Sequence, residues 1–112
     1  MKDYYNVIVE LSSKLCYKDD YGVKKKVKEH NKAMTKLNRL DQEMNNPEGK
    51  QVLLELLYHT NDQVILSAAM LCLKLKFNLS DAKKRIAYVR DESSDSIVSF
   101  NAEMMLKSFN NN

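Results

Sequence analysis

The stretch Leu53-Leu54-Glu55-Leu56-Leu57-Tyr58-His59-Thr60-Asn61-Asp62-Gln63-Val64-Ile65 decides how this chain is read, because it returns 33 residues later as Ile86-Ala87-Tyr88-Val89-Arg90-Asp91-Glu92-Ser93-Ser94-Asp95-Ser96-Ile97-Val98. The same offset sets Ala69 against Ala102, Leu71 against Met104 and Leu73 against Leu106. Apolar positions therefore meet apolar positions at helical spacing. A polar tip interrupts each copy, His59-Thr60-Asn61-Asp62 in the first and Glu92-Ser93-Ser94-Asp95 in the second. The pattern predicts two helical hairpins, with helices at about 48–59 and 62–75, then at about 80–92 and 95–109. Neither hairpin can bury both of its apolar faces alone, so the two are expected to stack. The alanines at 69 and 102 allow close approach of the helices. Asp62 and Asp95 stand where an N-cap, or a carboxylate near the positive end of a helix dipole, is favourable.

Toward the N-terminus, Asn45-Asn46-Pro47-Glu48-Gly49 punctuates the chain, since Pro disfavours helix in the residue before it and suits the first position of the helix that follows. Before it, about 21–44 reads as one long helix with a narrow seam of Val23, Val27, Met34, Leu37 and Met44, interrupted by His30 and Asp41. Such a helix should lie across others with much of its circumference in water. Lys18-Asp19-Asp20-Tyr21-Gly22 reads as a turn, and about 3–17 as a first helix with Tyr4, Ile8, Leu11 and Leu15 on one face. The polar tail Asn110-Asn111-Asn112 is expected to lack structure.

Composition agrees with an all-α chain of about six helices. Hydrophobic residues make up 44% and charged residues 29%, and two glycines and one proline are too few for the turns of an all-β protein. The expected organisation is one domain over residues 1–112, with N-terminal helices in 1–46, a first hairpin in 47–77 and a second in 78–109. The start Met1-Lys2-Asp3-Tyr4-Tyr5-Asn6 does not resemble a signal peptide, and no window approaches the roughly 18 apolar residues of a membrane span. A cytoplasmic protein is expected.

Catalytic and metal constellations find little support. Cys16 and Cys72 are far apart and outside any Cys/His ligand spacing, and they read as buried free thiols. His30 and His59 form no two-histidine helical ligand pair. There is no Ser-centred nucleophile turn, and the isolated Gly22 and Gly49 cannot make a phosphate loop. Asp19-Asp20 and Asp91-Glu92 fall at expected helix ends, where capping and solvation explain them. No enzyme activity, metal, cofactor or small-molecule substrate is expected.

Charge is informative through its distribution. The net value is +3, too mild by itself to argue for nucleic acid. Yet Lys25, Lys28, Lys32, Lys36 and Arg39 recur at spacings of three and four, which lines them along one side of the second helix. That row could meet an acidic protein surface or track phosphates, although no aromatic residue interleaves with it. An acidic region follows around Glu43, Glu48 and Glu55, and Tyr21, Tyr58 and Tyr88 are candidate anchors for a partner.

Leu53 to Val64, followed by Ser67-Ala68-Ala69, resembles the L-x-x-L-L-x-H-x-x-x-x-V-x-x-x-A-A core of HEAT-like repeats. Val98-Ser99-Phe100-Asn101-Ala102-Glu103-Met104-Met105-Leu106-Lys107 resembles the closing stretch of a small bacterial family, the domain of unknown function numbered twenty-nineteen. His30-Asn31-Lys32 and the helix around it fit that family's N-terminal part, so the likeness covers roughly 24–109. The basic residue common after the tip valine of HEAT repeats is replaced by Ile65 and Val98, which removes the usual Asp–Arg ladder between repeats. The resemblance implies stacked helical hairpins and a role such as an immunity protein that neutralises a secreted toxin domain, or an adaptor. The alternative expectation is a helical-repeat module that binds nucleic acid through the basic second helix, and a third is a homo-oligomer formed through the first helix.

Overall fold

The computed structural model describes residues 3–15 and 24–110, with the side chains of 24–27, 29, 30, 109 and 110 outside the description. Six helices carry these residues: α1 (Tyr4–Ser13), α2 (Lys24–Glu43), α3 (Pro47–Leu56), α4 (Asp62–Leu75), α5 (Leu79–Glu92) and α6 (Ser96–Asn110). The expected turn at 18–22, Cys16, and the side chains of Val23, Val27 and His30 lie outside the described residues. Asn110 closes α6, so the asparagine tail begins inside a helix; residues 111 and 112 lie outside the description.

The helix at the centre is α4, and its composition explains the position. Val64 to Ala69 is buried without a break, and Leu71 and Cys72 extend the buried set around the helix. A helix apolar on nearly every side must be covered on nearly every side. Here α1, α2, α3, α5 and α6 all contact it. The expected hairpins form, α3 against α4 and α5 against α6, and α5 also packs extensively along α4. The radius of gyration is 13.4 Å, close to the ~13 Å of a compact chain of this length.

Local signals set the boundaries. Pro47 occupies the first turn of α3, and the Asn46 side chain accepts the Gly49 N–H at 2.8 Å. The α4 cap is Asn61, whose Oδ1 accepts from the N–H groups of Gln63 and Val64, which leaves Asp62 inside the first turn as a charge near the dipole's positive end. At α6 the cap is Asp95 itself, accepting from Ile97 and Val98. The two hairpins thus share an apolar offset but not a capping register. At the other end of α4, Lys76 adopts a left-handed conformation with φ 53° while Phe77 N–H donates to the Cys72 carbonyl, a Schellman closure made without glycine.

Two expectations change. The seam of α2 is wider than the one read from sequence, because Ala33 and Leu40 are buried beside Leu37 and Met44. Their spacing of four, three and four is a full amphipathic stripe, hidden in the sequence by an alanine and by the polar residues that flank Leu40. The helix part of α1 ends at Ser13, although Leu15 remains buried just beyond it. Inside, Ser12 donates to Ser67 Oγ at 2.7 Å and Ser67 donates to the Gln63 carbonyl, so both buried hydroxyl groups on the α1–α4 contact are satisfied.

Candidate protein-docking surface

The end of a helix leaves carbonyls without partners. At the end of α3 the Leu57 carbonyl is taken by α5, where Arg85 Nε donates to it at 2.7 Å. This bond fixes the guanidinium at the corner between the hairpins, 4.8 Å from the ring centroid of Tyr58 and 4.4 Å from that of Tyr88. Tyr88 follows Arg85 by three residues on α5 and so shares its face. Tyr58 arrives from the turn after α3, closed by its own N–H to the Glu55 carbonyl. Both rings remain open to solvent, Tyr58 at 61% and Tyr88 at 46%. The sequence singled out both tyrosines; the structure joins them through Arg85, a residue the sequence reading passed over. Only the tertiary contact of α5 with the α3 corner reveals it, since Arg85 belongs to no motif.

The basic row occupies a different surface. Lys28, Lys32, Lys36 and Arg39 are exposed along α2, and the side chain of Lys25 lies outside the described residues. Lys36 and Arg39 border a groove of about 380 Å³ between α1 and α2, shared with Lys14, Glu10 and Glu43. Carboxylates therefore interrupt the positive field at that end, and Lys14 lies 3.8 Å from Glu10. Glu48 and Glu55 are exposed on α3. A second groove, of about 420 Å³, runs between α2, α4 and α6 and is lined mainly by apolar side chains, among them Met34, Met70, Met104 and Met105.

Three other titratable groups have local structural explanations. His59 Nδ1 accepts the Asn61 N–H at 3.0 Å, and its ring tilts against Tyr5 at 6.1 Å. The Cys72 thiol is buried, and burial pushes its pKa up to about 12, far from a nucleophile's range. Asp91 is held below the ordinary carboxylate range by its hydrogen bond from the adjacent Arg90, a solvated pair on the surface of α5. Among the described residues no group of three or more His, Cys, Asp or Glu side chains could hold a metal ion, and no helix is long and apolar enough to cross a membrane.

Residues 6–110 match the family model described as Domain of unknown function (DUF2019). No curated protein and no solved structure matches the chain.

Proposed function

Because the chain belongs to the Domain of unknown function (DUF2019) family, whose description assigns no activity, we propose from its surfaces that it works by binding a protein partner and not by catalysis. The observation that carries this reading is the Tyr58–Arg85–Tyr88 cluster. Tyrosine and arginine are the residue types that dominate binding energy at protein interfaces, and holding them in place before binding lowers the entropy cost of association. In its most concrete form the proposal is an immunity protein, a short HEAT-type stack in the cytoplasm that occludes a cognate toxin domain. The exposed lysines of α2 would steer an acidic partner toward it.

A tagged full-length chain drawn from its native cell extract, with and without nuclease, tests the proposal. Near-stoichiometric recovery of one protein, unaffected by nuclease, is the expected result. The second reading, nucleic-acid binding through Lys28, Lys32, Lys36 and Arg39, is favoured by their exposure along one side of α2. It requires recovery of nucleic acid whose affinity falls steeply between low and moderate salt, and that result would overturn the protein-binding reading.

A further inference from the structure

We propose that Arg85 is the receptor for a single carboxylate of the partner protein, an Asp or Glu side chain presented next to an apolar group that packs on Tyr58 and Tyr88. This inference rests on the protein-binding reading and names the chemistry of its contact. The Nε–H is committed to the Leu57 carbonyl, which fixes the plane and direction of the guanidinium. The two Nη groups have no hydrogen-bond or ion-pair partner among the described residues. Guanidinium N–H groups lie in one plane and match the two oxygens of a carboxylate, and a guanidinium resting on aromatic rings gives up little hydration or rotamer freedom when it makes that pair.

The surroundings select a monoanion. On α5, Asp81 precedes Arg85 by four residues and Glu92 follows it by seven, spacings that put both carboxylates on the guanidinium's side of the helix. A phosphate group, with nearly twice the charge of a carboxylate, would be repelled more strongly by these two residues. The exposed Tyr rings beside the guanidinium supply apolar area that a bare anion would leave unused.

The test is a random-peptide phage library selected on the immobilised full-length chain, followed by affinity measurements on the enriched peptides. The expected result is enrichment of peptides with one Asp or Glu beside an aliphatic or aromatic residue. Changing that peptide residue to Asn or Gln should weaken binding at least about 10-fold, a loss typical of a charge-assisted bidentate pair. Arg85→Lys in the chain should weaken it similarly, and the peptide-side change keeps the test valid if Arg85→Lys disturbs the fold. Enriched peptides that tolerate the amide change would overturn the carboxylate assignment while leaving protein binding intact. Tighter binding of a phosphoserine version of the peptide would overturn it in favour of phosphate. Enrichment of no peptide would count against both this assignment and the protein-binding reading.

Discussion

Gly49 is the residue at which the junction of α2 and α3 is most tightly made. A Cβ there would lie 2.6 Å from Met44 Cα and would also strike the Met44 carbonyl, both backbone atoms that cannot swing aside. Alanine gains about 1 kcal/mol over glycine inside a helix, but forced movement of packed backbone costs about 1–3 kcal/mol. Gly49→Ala should therefore lower the urea midpoint despite the better helix former. Nothing in the sequence marks this requirement, because the close approach exists only once Asn46 has turned the chain onto Met44. Cys72 is the opposite case, since its position in the run Ala68 to Leu73 already predicts a buried thiol. With the folded thiol pushed up to about 12 and an unfolded value near ~8.5, the unfolded chain loses the proton first. The contribution is fully present below that unfolded value and declines as pH rises toward 12. In a Cys16→Ser background, adding Cys72→Ala should remove this part of the alkaline loss of stability measured by urea unfolding at pH 8 to 11. A thiol reagent at neutral pH should label Cys72 only after unfolding.

At the scale of elements, what was legible was periodic and what was not was conformational. The extent of α4 follows from its largely apolar stretch Val64 to Leu73, interrupted only by Ser67, and the two hairpins follow from the 33-residue offset. The capping register escaped the offset, because Asn61 and Asp95 cap at positions that differ by one residue relative to the apolar repeat. The left-handed ends of the α4–α5 loop also escaped it, as neither Lys76 nor Asn78, both with φ 53°, announces a positive φ as glycine would. Asn78 carries a further cost, since its buried Nδ2 has no hydrogen-bond partner among the described residues. Lys76 is exposed and bears the strain of a side chain in the left-handed region. Lys76→Gly should stabilise the chain by about 0.5–1 kcal/mol, read as a rise in melting temperature. An unchanged or lowered value would mean that the Schellman closure at Phe77 does not limit α4.

For the whole molecule, the offset pairs residues whose fates differ. Val64 and Leu71 are fully buried on α4, while their counterparts Ile97 and Met104 are 47% and 46% exposed on α6. The chemistry repeats but the coverage does not, because α4 is flanked by five helices and α6 chiefly by α5 and α4. The sequence therefore showed the repeat clearly but overstated its equivalence. The candidate site was half legible in the same sense: Tyr58 and Tyr88 stood out as anchors, whereas Arg85 needed the α5–α3 contact to appear. The basic row and the Glu43 that ends it were legible as spacing on one helix, yet its interruption by Glu10 depends on how α1 lies along α2.

Under the protein-binding proposal the Tyr58–Arg85–Tyr88 corner, and not the α2 lysines, holds the partner. Calorimetric titration of the partner recovered from extract into two full-length variants, Tyr58→Ala/Tyr88→Ala and Lys28→Glu/Lys32→Glu, separates the two surfaces. All four side chains are solvent-exposed, so both variants should fold. The tyrosine variant should lose at least about 30-fold in affinity, as for a buried interface anchor. The lysine variant should show only a few-fold, salt-dependent change, as for steering charges. Wild-type affinity in the tyrosine variant, with binding abolished in the lysine variant, would place the partner on α2 instead.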